Sequence, residues 1–165
     1  MRILASFFII TIFPFFMSED EAPKPKFEID TEYCNSRYHF CLEYSDSLLP
    51  NKLISDNNDG VILKSKDESI VMTVAGSRRV LDRDTESLYR DFVEKNMMAD
   101  IDSRIIYEIV ERDFYEVSFI SGKNYYFQKL YHRGNKYIIH QIVVPSDKSF
   151  LMNKVKENMD ISLKM

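Results

Sequence analysis

From Phe27 onward, short aromatic and β-branched runs alternate with clusters of Asp, Asn, Ser and Gly. Runs of that length and composition read as strands, and the polar clusters between them as turns. RYHFCLEY (37–44) predicts a strand with apolar residues on both faces. SDNNDG (55–60) predicts a turn, and VILKSKDESIVMTVAGS (61–77) predicts two strands around KSKDES, a hairpin. Over LDRDTESLYRDFVEKNMMAD (81–100) the period changes: Leu88, Phe92, Val93 and Met97 fall near helical spacing, and Asp84 stands where an N-cap belongs. Four strand-like runs follow: RIIYEIVE (104–111), FYEVSFIS (114–121), NYYFQKLYH (124–132) and KYIIHQIVVP (136–145). Their separators, RD, GK and RGN, are too short for crossovers, so neighbouring runs must be antiparallel. A turn on RGN places His132 opposite Lys136. SDKSFLMNKVKENMDI (146–161) predicts a C-terminal helix capped by Ser146 or Asp147, with Phe150, Leu151, Val155 and Met159 as its apolar stripe.

Several strands are apolar on both sides; Ile138, Ile139, Ile142, Val143 and Val144 leave little room for a wet face. Helices on both faces of the sheet account for that. The expected fold class is α+β: one domain with a mainly antiparallel β-sheet covered by helices on both faces, an α/β/α sandwich.

Composition adds limits. Hydrophobic residues make up 45% and charged residues 29%, an ordinary globular balance. A domain of this size buries roughly two-thirds of its unfolded surface and does not need disulfides to fold. The net charge of −4 disfavours a nucleic-acid partner, which requires a basic face. Only 4 glycines argue against a Gly-rich phosphate loop. Arg2 followed by the apolar run Ile3–Met17 is shorter than the ~20 residues of a spanning helix and sits where a secretory signal belongs. The expected organisation is a signal peptide over 1–18, a Pro-stiffened charged linker over 19–32 and a single domain over 33–165, exported to a periplasm or secreted. Retention of the segment as a membrane anchor is the alternative.

Candidate chemistry is sparse. SDNNDG imitates the start of a calcium loop, but its twelfth place is Lys66 where a bidentate Glu is needed. Of the histidines, His132 and His140 stand too far apart along the hairpin to share a metal, and His39 alone completes no site. Ser118 and Ser121 lack a nucleophile elbow. Asp82, Asp84, Glu86 and Asp91 surround a helix start, where acids complement the dipole. No cofactor, metal or catalytic residue is expected. The mixture of Tyr125, Tyr126, Tyr131 and Tyr137 with Lys129, Arg133 and Lys136 on one hairpin is the best candidate for a partner surface, against the alternative that its tyrosines pack the sheet.

Cys34 and Cys41, in CNSRYHFC, are the only cysteines. In an exported chain an even count favours a bridge, and the spacing is not that of a redox C-x-x-C pair. Bridging requires the chain to fold back over NSRYH, because an extended segment would hold the two sulfurs far apart.

The motif order YHFCLEYSDSLL, SDNNDGVILKSKDESIVMTVAGS and YEVSFISGKNYYFQKLY resembles the PsbP-like fold family, which includes PsbP, a Ran-binding Mog-like branch and bacterial secreted or periplasmic members of unknown function. The similarity runs over roughly residues 33–163. This chain departs from the family pattern at Tyr44-Ser45, where Tyr-Pro is usual, and at Asn58 and Glu68, where turn glycines are usual. The resemblance implies an antiparallel sheet between helices. It also implies a non-catalytic binding or assembly protein; together with the expected signal peptide this reads as an exported protein whose partner is another envelope or secreted protein. The alternative is a small envelope hydrolase with a site assembled from distant residues.

Overall fold

A computed structural model describes residues 28–78, 83–97, 100–157 and 159–163. The expected signal peptide and most of the linker lie outside the described residues. The strands are β1 (Thr31–Asn35), β2 (Phe40–Tyr44), β3 (Asn51–Ile54), β4 (Gly60–Lys64), β5 (Val71–Arg78), β6 (Arg104–Val110), β7 (Phe114–Ser121), β8 (Asn124–Arg133), β9 (Lys136–Pro145) and β10 (Met159–Leu163). Helix α1 spans Thr85–Met97 and α2 spans Phe150–Glu157.

Among the described residues the strands form two sheets, both antiparallel throughout. The larger has the order β3-β4-β5-β9-β8-β7-β6 and the smaller β1-β2-β10. The meander β6–β9 forms as its short separators require. The last turn is tighter than RGN: Arg133 pairs with Lys136, so His132 lies opposite Tyr137 rather than Lys136. Gly134, at φ +54, supplies the left-handed residue of that turn.

Alternation along β9 sorts the core into two clusters. Ile138, Ile142 and Val144 face one way, with Phe127, Met72, Val74, Val61 and Leu63 of neighbouring strands. They pack against Tyr33, Phe40, Leu42 and Tyr44 of the small sheet and Met152 and Val155 of α2. Tyr137 and Ile139 face the other way, beside Tyr115, Val117, Phe119 and Leu130, under Leu88, Tyr89 and Phe92 of α1. The fold is thus mostly antiparallel β-structure with two helices. The expectation of helices over both faces is finer than this packing supports, because β1-β2-β10 forms much of one cover.

Helix α1 starts as expected. The Asp84 carboxylate accepts from the Ser87 backbone N–H at 2.8 Å, satisfying one of the free donors of the first turn. Tyr89 and Phe92 then pack edge-on or tilted onto Tyr115, and Phe92 onto Phe119. The C-terminal expectation is corrected. After a 3-10 turn over Ser146–Lys148 the helix runs only Phe150–Glu157, and residues 159–163 form a strand. The 3-10 turn has no side-chain cap, so neither Ser146 nor Asp147 serves as one there. The buried side chains of α2 are Met152 and Val155; Phe150 is 68% exposed. MDISL alternates apolar and polar residues, and that period of two places Met159, Ile161 and Leu163 against the core.

RYHFCLEY is likewise not one strand. Residues 36–39 form a turn between β1 and β2, and Cys34 faces Cys41 across the ladder with Cα atoms 4.1 Å apart, joined by a disulfide. Closing so short a loop contributes about 2.5 kcal/mol by the chain-entropy argument. β1 begins at Thr31, within the stretch expected to be linker.

The turn of that hairpin docks on the large sheet. The Asn35 amide donates to the Asn58 carbonyl at 2.9 Å, while its side-chain oxygen accepts from the Tyr38 N–H at 3.0 Å. Arg37 pairs with Asp59 at 2.6 Å. Tyr38, buried, packs directly against Gly76, where any Cβ would collide with its side chain. Asn58 and Glu68, the positions of the missing turn glycines, adopt φ of 55° and 54°. SDNNDG is a turn built on the Ser55 hydroxyl, which accepts from the N–H groups of Asp59 and Gly60, both at 2.9 Å.

Two stability changes follow. Gly76→Ala should cost about 1–3 kcal/mol in urea denaturation, the range for overpacking; an unchanged midpoint would mean that Tyr38 is not seated as described. Glu68→Gly should stabilise by about 0.5 kcal/mol. Relief of a left-handed non-glycine residue, about 1–2 kcal/mol, outweighs glycine's entropy cost of about 0.5–1 kcal/mol and loss of the exposed Lys64–Glu68 pair. Glu68→Val should destabilise instead.

Candidate functional site

The outer end of the β8–β9 hairpin meets the disulfide-closed turn, and between them lies a cavity of about 240 Å³. Tyr38 and His39 of the turn form one wall; Tyr131, Arg133, Lys136, Tyr137 and Ile138 form the other. Lys136 donates to the Arg37 carbonyl at 2.9 Å and sits 5.9 Å over the Tyr38 ring. Arg37 also reaches over that ring, at 5.4 Å. The floor is aromatic and the rim cationic, an arrangement suited to carboxylates and aromatic groups of a partner.

Four of the seven residues expected as a partner surface therefore line this cavity, Tyr131, Arg133, Lys136 and Tyr137, although the Tyr137 ring packs on the opposite face of the sheet beneath α1. The other three are elsewhere. Tyr125 and Tyr126 lie at the opposite end of β8, across from Val144 and Val143. Tyr125 packs on the larger core cluster, while Tyr126 stacks on Phe119 with centroids 4.7 Å apart. Lys129 belongs to a partly buried ion-pair group described below. Tyr38 and His39 were not anticipated. Their signal was the bridge: a Cys34–Cys41 clasp obliges the intervening residues to form a projecting turn.

A second cavity, about 150 Å³, lies between the large sheet and the α2–β10 segment. Its walls are Phe127, Tyr131, Met159 and Ile161, and its polar groups are Glu116, Lys129, His140 and Lys156. Lys129 pairs with one Glu116 oxygen at 3.2 Å and Lys156 with the other at 3.3 Å. Lys156 also lies 4.1 Å over the Phe127 ring, and Lys129 is 4.8 Å from the Phe114 ring centre. His140 is 3% exposed, packs edge-on to Phe127, and its Nε2 has no hydrogen-bond partner. Burial, reinforced by the charges of Lys156 and Lys129, pushes the His140 imidazole down to about 3, so it is neutral at ordinary pH.

The remaining candidates have structural surroundings. His132 is 3.5 Å from the Thr85 hydroxyl, which donates to the Arg112 carbonyl at 2.6 Å. Ser118 is buried opposite Phe127, and Ser121 shares a hydrogen bond with Ser103 at 2.8 Å. Asp84 caps α1, Glu86 pairs with Arg90 at 3.3 Å, and Asp91 pairs with Arg83 at 2.5 Å; Asp82 lies outside the described residues. The Tyr89 phenol donates to Glu108, and its pKa is raised by burial and by that carboxylate. Glu32, Cys34 and Cys41 are close enough together to suggest a metal site, but both sulfurs are consumed by the bridge.

This arrangement of two sheets and two helices is a PsbP-like fold. The chain is similar to the solution structure of cyanobacterial PsbP (CyanoP) from Synechocystis sp. PCC 6803, at 12% identity over 80% of this chain and 92% of that one, with a TM-score of 0.56. It also matches a crystal structure from Bacteroides thetaiotaomicron VPI-5482 at 11% identity over 81% of this chain and 49% of that one, with a TM-score of 0.41. No family model and no curated protein matches the chain.

His140 has a pH signature. Its folded pKa lies below the ordinary histidine value, so the unfolded chain takes up the proton first as pH falls. Stability from this group is fully present above about pH 6.5 and declines toward pH 3, by up to about 1.4 kcal/mol per pH unit. Asp67, held down to about 2 by the Ser65 and Ser69 hydrogen bonds, acts only below the ordinary carboxylate range. Urea denaturation between pH 6.5 and 4.5 should therefore show a slope that His140→Phe removes. An unchanged slope would place the origin elsewhere.

Proposed function

We propose that this chain is a non-catalytic, exported binding or assembly protein that docks a protein partner at the outer end of the β8–β9 hairpin. The observation that carries this reading is the cavity between that hairpin and the disulfide-closed turn, which Tyr38, His39 and Tyr131 line together with Arg133 and Lys136. Aromatic groups with a cationic rim are the composition of binding hot spots, and they favour a partner presenting acidic and aromatic side chains. Export is supported by the apolar run at residues 3–17 and by the Cys34–Cys41 bridge, which persists in oxidising compartments. The partner is then another envelope or secreted protein.

The test is cross-linked co-purification from the native envelope or secreted fraction, comparing the natural chain with Arg133→Glu/Lys136→Glu. A stoichiometric partner should be recovered with the natural chain and be lost with the variant while its thermal melt stays close to normal. Equal recovery with both would remove this surface from the reading. Mass spectrometry of the mature N-terminus checks export: a start near Ser18 or Glu19 is expected.

A further inference from the structure

We infer that the second cavity, between β7–β8–β9 and the α2–β10 segment, is a binding site for a small carboxylic acid with an aromatic or branched apolar body.

Charge comes first. Glu116 is flanked by Lys129 and Lys156, one on each oxygen, so the group carries one positive charge in excess. Each ammonium has three N–H groups and the Glu116 contact takes one of them. The cluster is only partly exposed, with side-chain exposures of 16% for Glu116, 24% for Lys129 and 38% for Lys156. An excess charge at that depth favours a monovalent anion over a neutral molecule or a cation.

His140 is the second observation, and it is independent of the first. It stands on β9 between Ile138 and Ile142, on the face where the neighbouring side chains are apolar and buried. A buried ring nitrogen without a partner is costly; the Nε2 of His140 is closed off as it stands, like that of His132, so a ligand reaches it only when the ring turns toward the cavity. As a neutral imidazole it offers one N–H, which a carboxylate oxygen can accept. An apolar residue would pack better at this position if the cavity had nothing to hold.

Shape supplies the rest. A cavity of about 150 Å³ accepts a ring the size of benzene. Phe127, Tyr131, Met159 and Ile161 give that body aromatic and aliphatic walls. The ammonium groups stand directly over the aromatic walls, Lys156 at 4.1 Å from the Phe127 ring centre and Lys129 at 5.1 Å from that of Tyr131, so the acid head and the apolar body of one small ligand are met side by side. The site is distinct from the hairpin-end cavity, and the two share only Tyr131.

The test uses the folded chain with its bridge intact and three probes: benzoate, benzyl alcohol and benzylammonium. In NMR titration benzoate should bind in the millimolar range, as expected for so small a ligand. Shifts should be saturable and centred on the Ile161 and Met159 methyls and the His140 ring nitrogens. Benzyl alcohol should bind about tenfold more weakly or worse, and benzylammonium should not bind. Lys156→Met, at the more exposed lysine, should weaken benzoate about tenfold, and His140→Phe should abolish binding by filling the cavity. Both variants are checked for native melts, and Arg133→Glu/Lys136→Glu serves as a control that keeps benzoate affinity. The inference is overturned if benzoate gives no saturable shift, if benzylammonium competes equally, if Lys156→Met leaves the affinity unchanged, or if His140 exchanges with water only.

Discussion

The seating of Tyr38 on the bare backbone of Gly76 is the contact on which the rest of the structure depends. Two antiparallel sheets can pack face to face only where their apolar sides meet, and the small sheet of short strands has little area of its own. Its hairpin turn is therefore tied down four ways: Tyr38 over Gly76, Asn35 to Asn58, Arg37 to Asp59 and Lys136 to the Arg37 carbonyl. The disulfide between Cys34 and Cys41 holds the two strand ends that present this turn. The bridge is thus a clasp on the presenting element, while most of the docking strength comes from the ring and the hydrogen bonds beyond it. The same seating creates the hairpin-end cavity, because the turn that covers Gly76 also supplies the wall formed by Tyr38 and His39.

Much of the large sheet was legible because its signals are local. Two-residue separators at RD and GK leave no alternative to antiparallel neighbours, and the runs 114–121 and 136–145 coincide with β7 and β9. Asp84 announced α1 because capping acts within three residues. What was not legible depended on contacts distant in sequence. CNSRYHFC reads equally as strand or as turn until the bridge and the Tyr38 seat are both present. MDISL shows a strand period of only five residues, and a preceding helical stripe through Phe150, Leu151 and Val155 overrides it in any window reading. The candidate surface divided for the same reason. Spacing identifies Tyr125 and Tyr131 as sharing one face of β8, where both pack on the larger core cluster, but not that Tyr131 alone also borders the cavity beneath the turn.

Non-glycine residues in left-handed turns show how far the resemblance to a fold can be pressed. Asn58 and Glu68 replace expected glycines, and both keep the positive φ that the turn requires. Asn tolerates this at little cost because its amide mimics a backbone group. Glu68 has no such compensation beyond its exposed contact with Lys64, yet the hairpin retains its geometry through the Ser65 hydroxyl, which receives the Ile70 N–H at 3.0 Å and donates to Asp67 at 2.6 Å. The turn is over-determined by side-chain hydrogen bonds and therefore survives loss of its best residue.

The short final strand decides what the interior can hold. Had residues 146–161 continued as one helix, Met159 and Ile161 would have pointed about 160° apart around its axis, since successive helical residues turn by roughly 100°. In β10 they point the same way, and Ile161 lies opposite Leu42 on the small sheet. That common direction lays two apolar side chains across β7–β9 above Glu116, Lys129 and His140, with Lys156 arriving from the last turn of α2. The change from α2, ending at Glu157, to β10, beginning at Met159, thus turns a helical cover into a roof over polar groups. The polar groups beneath it are the ones that sequence position alone would assign to a dry core, and the roof explains how they can be there.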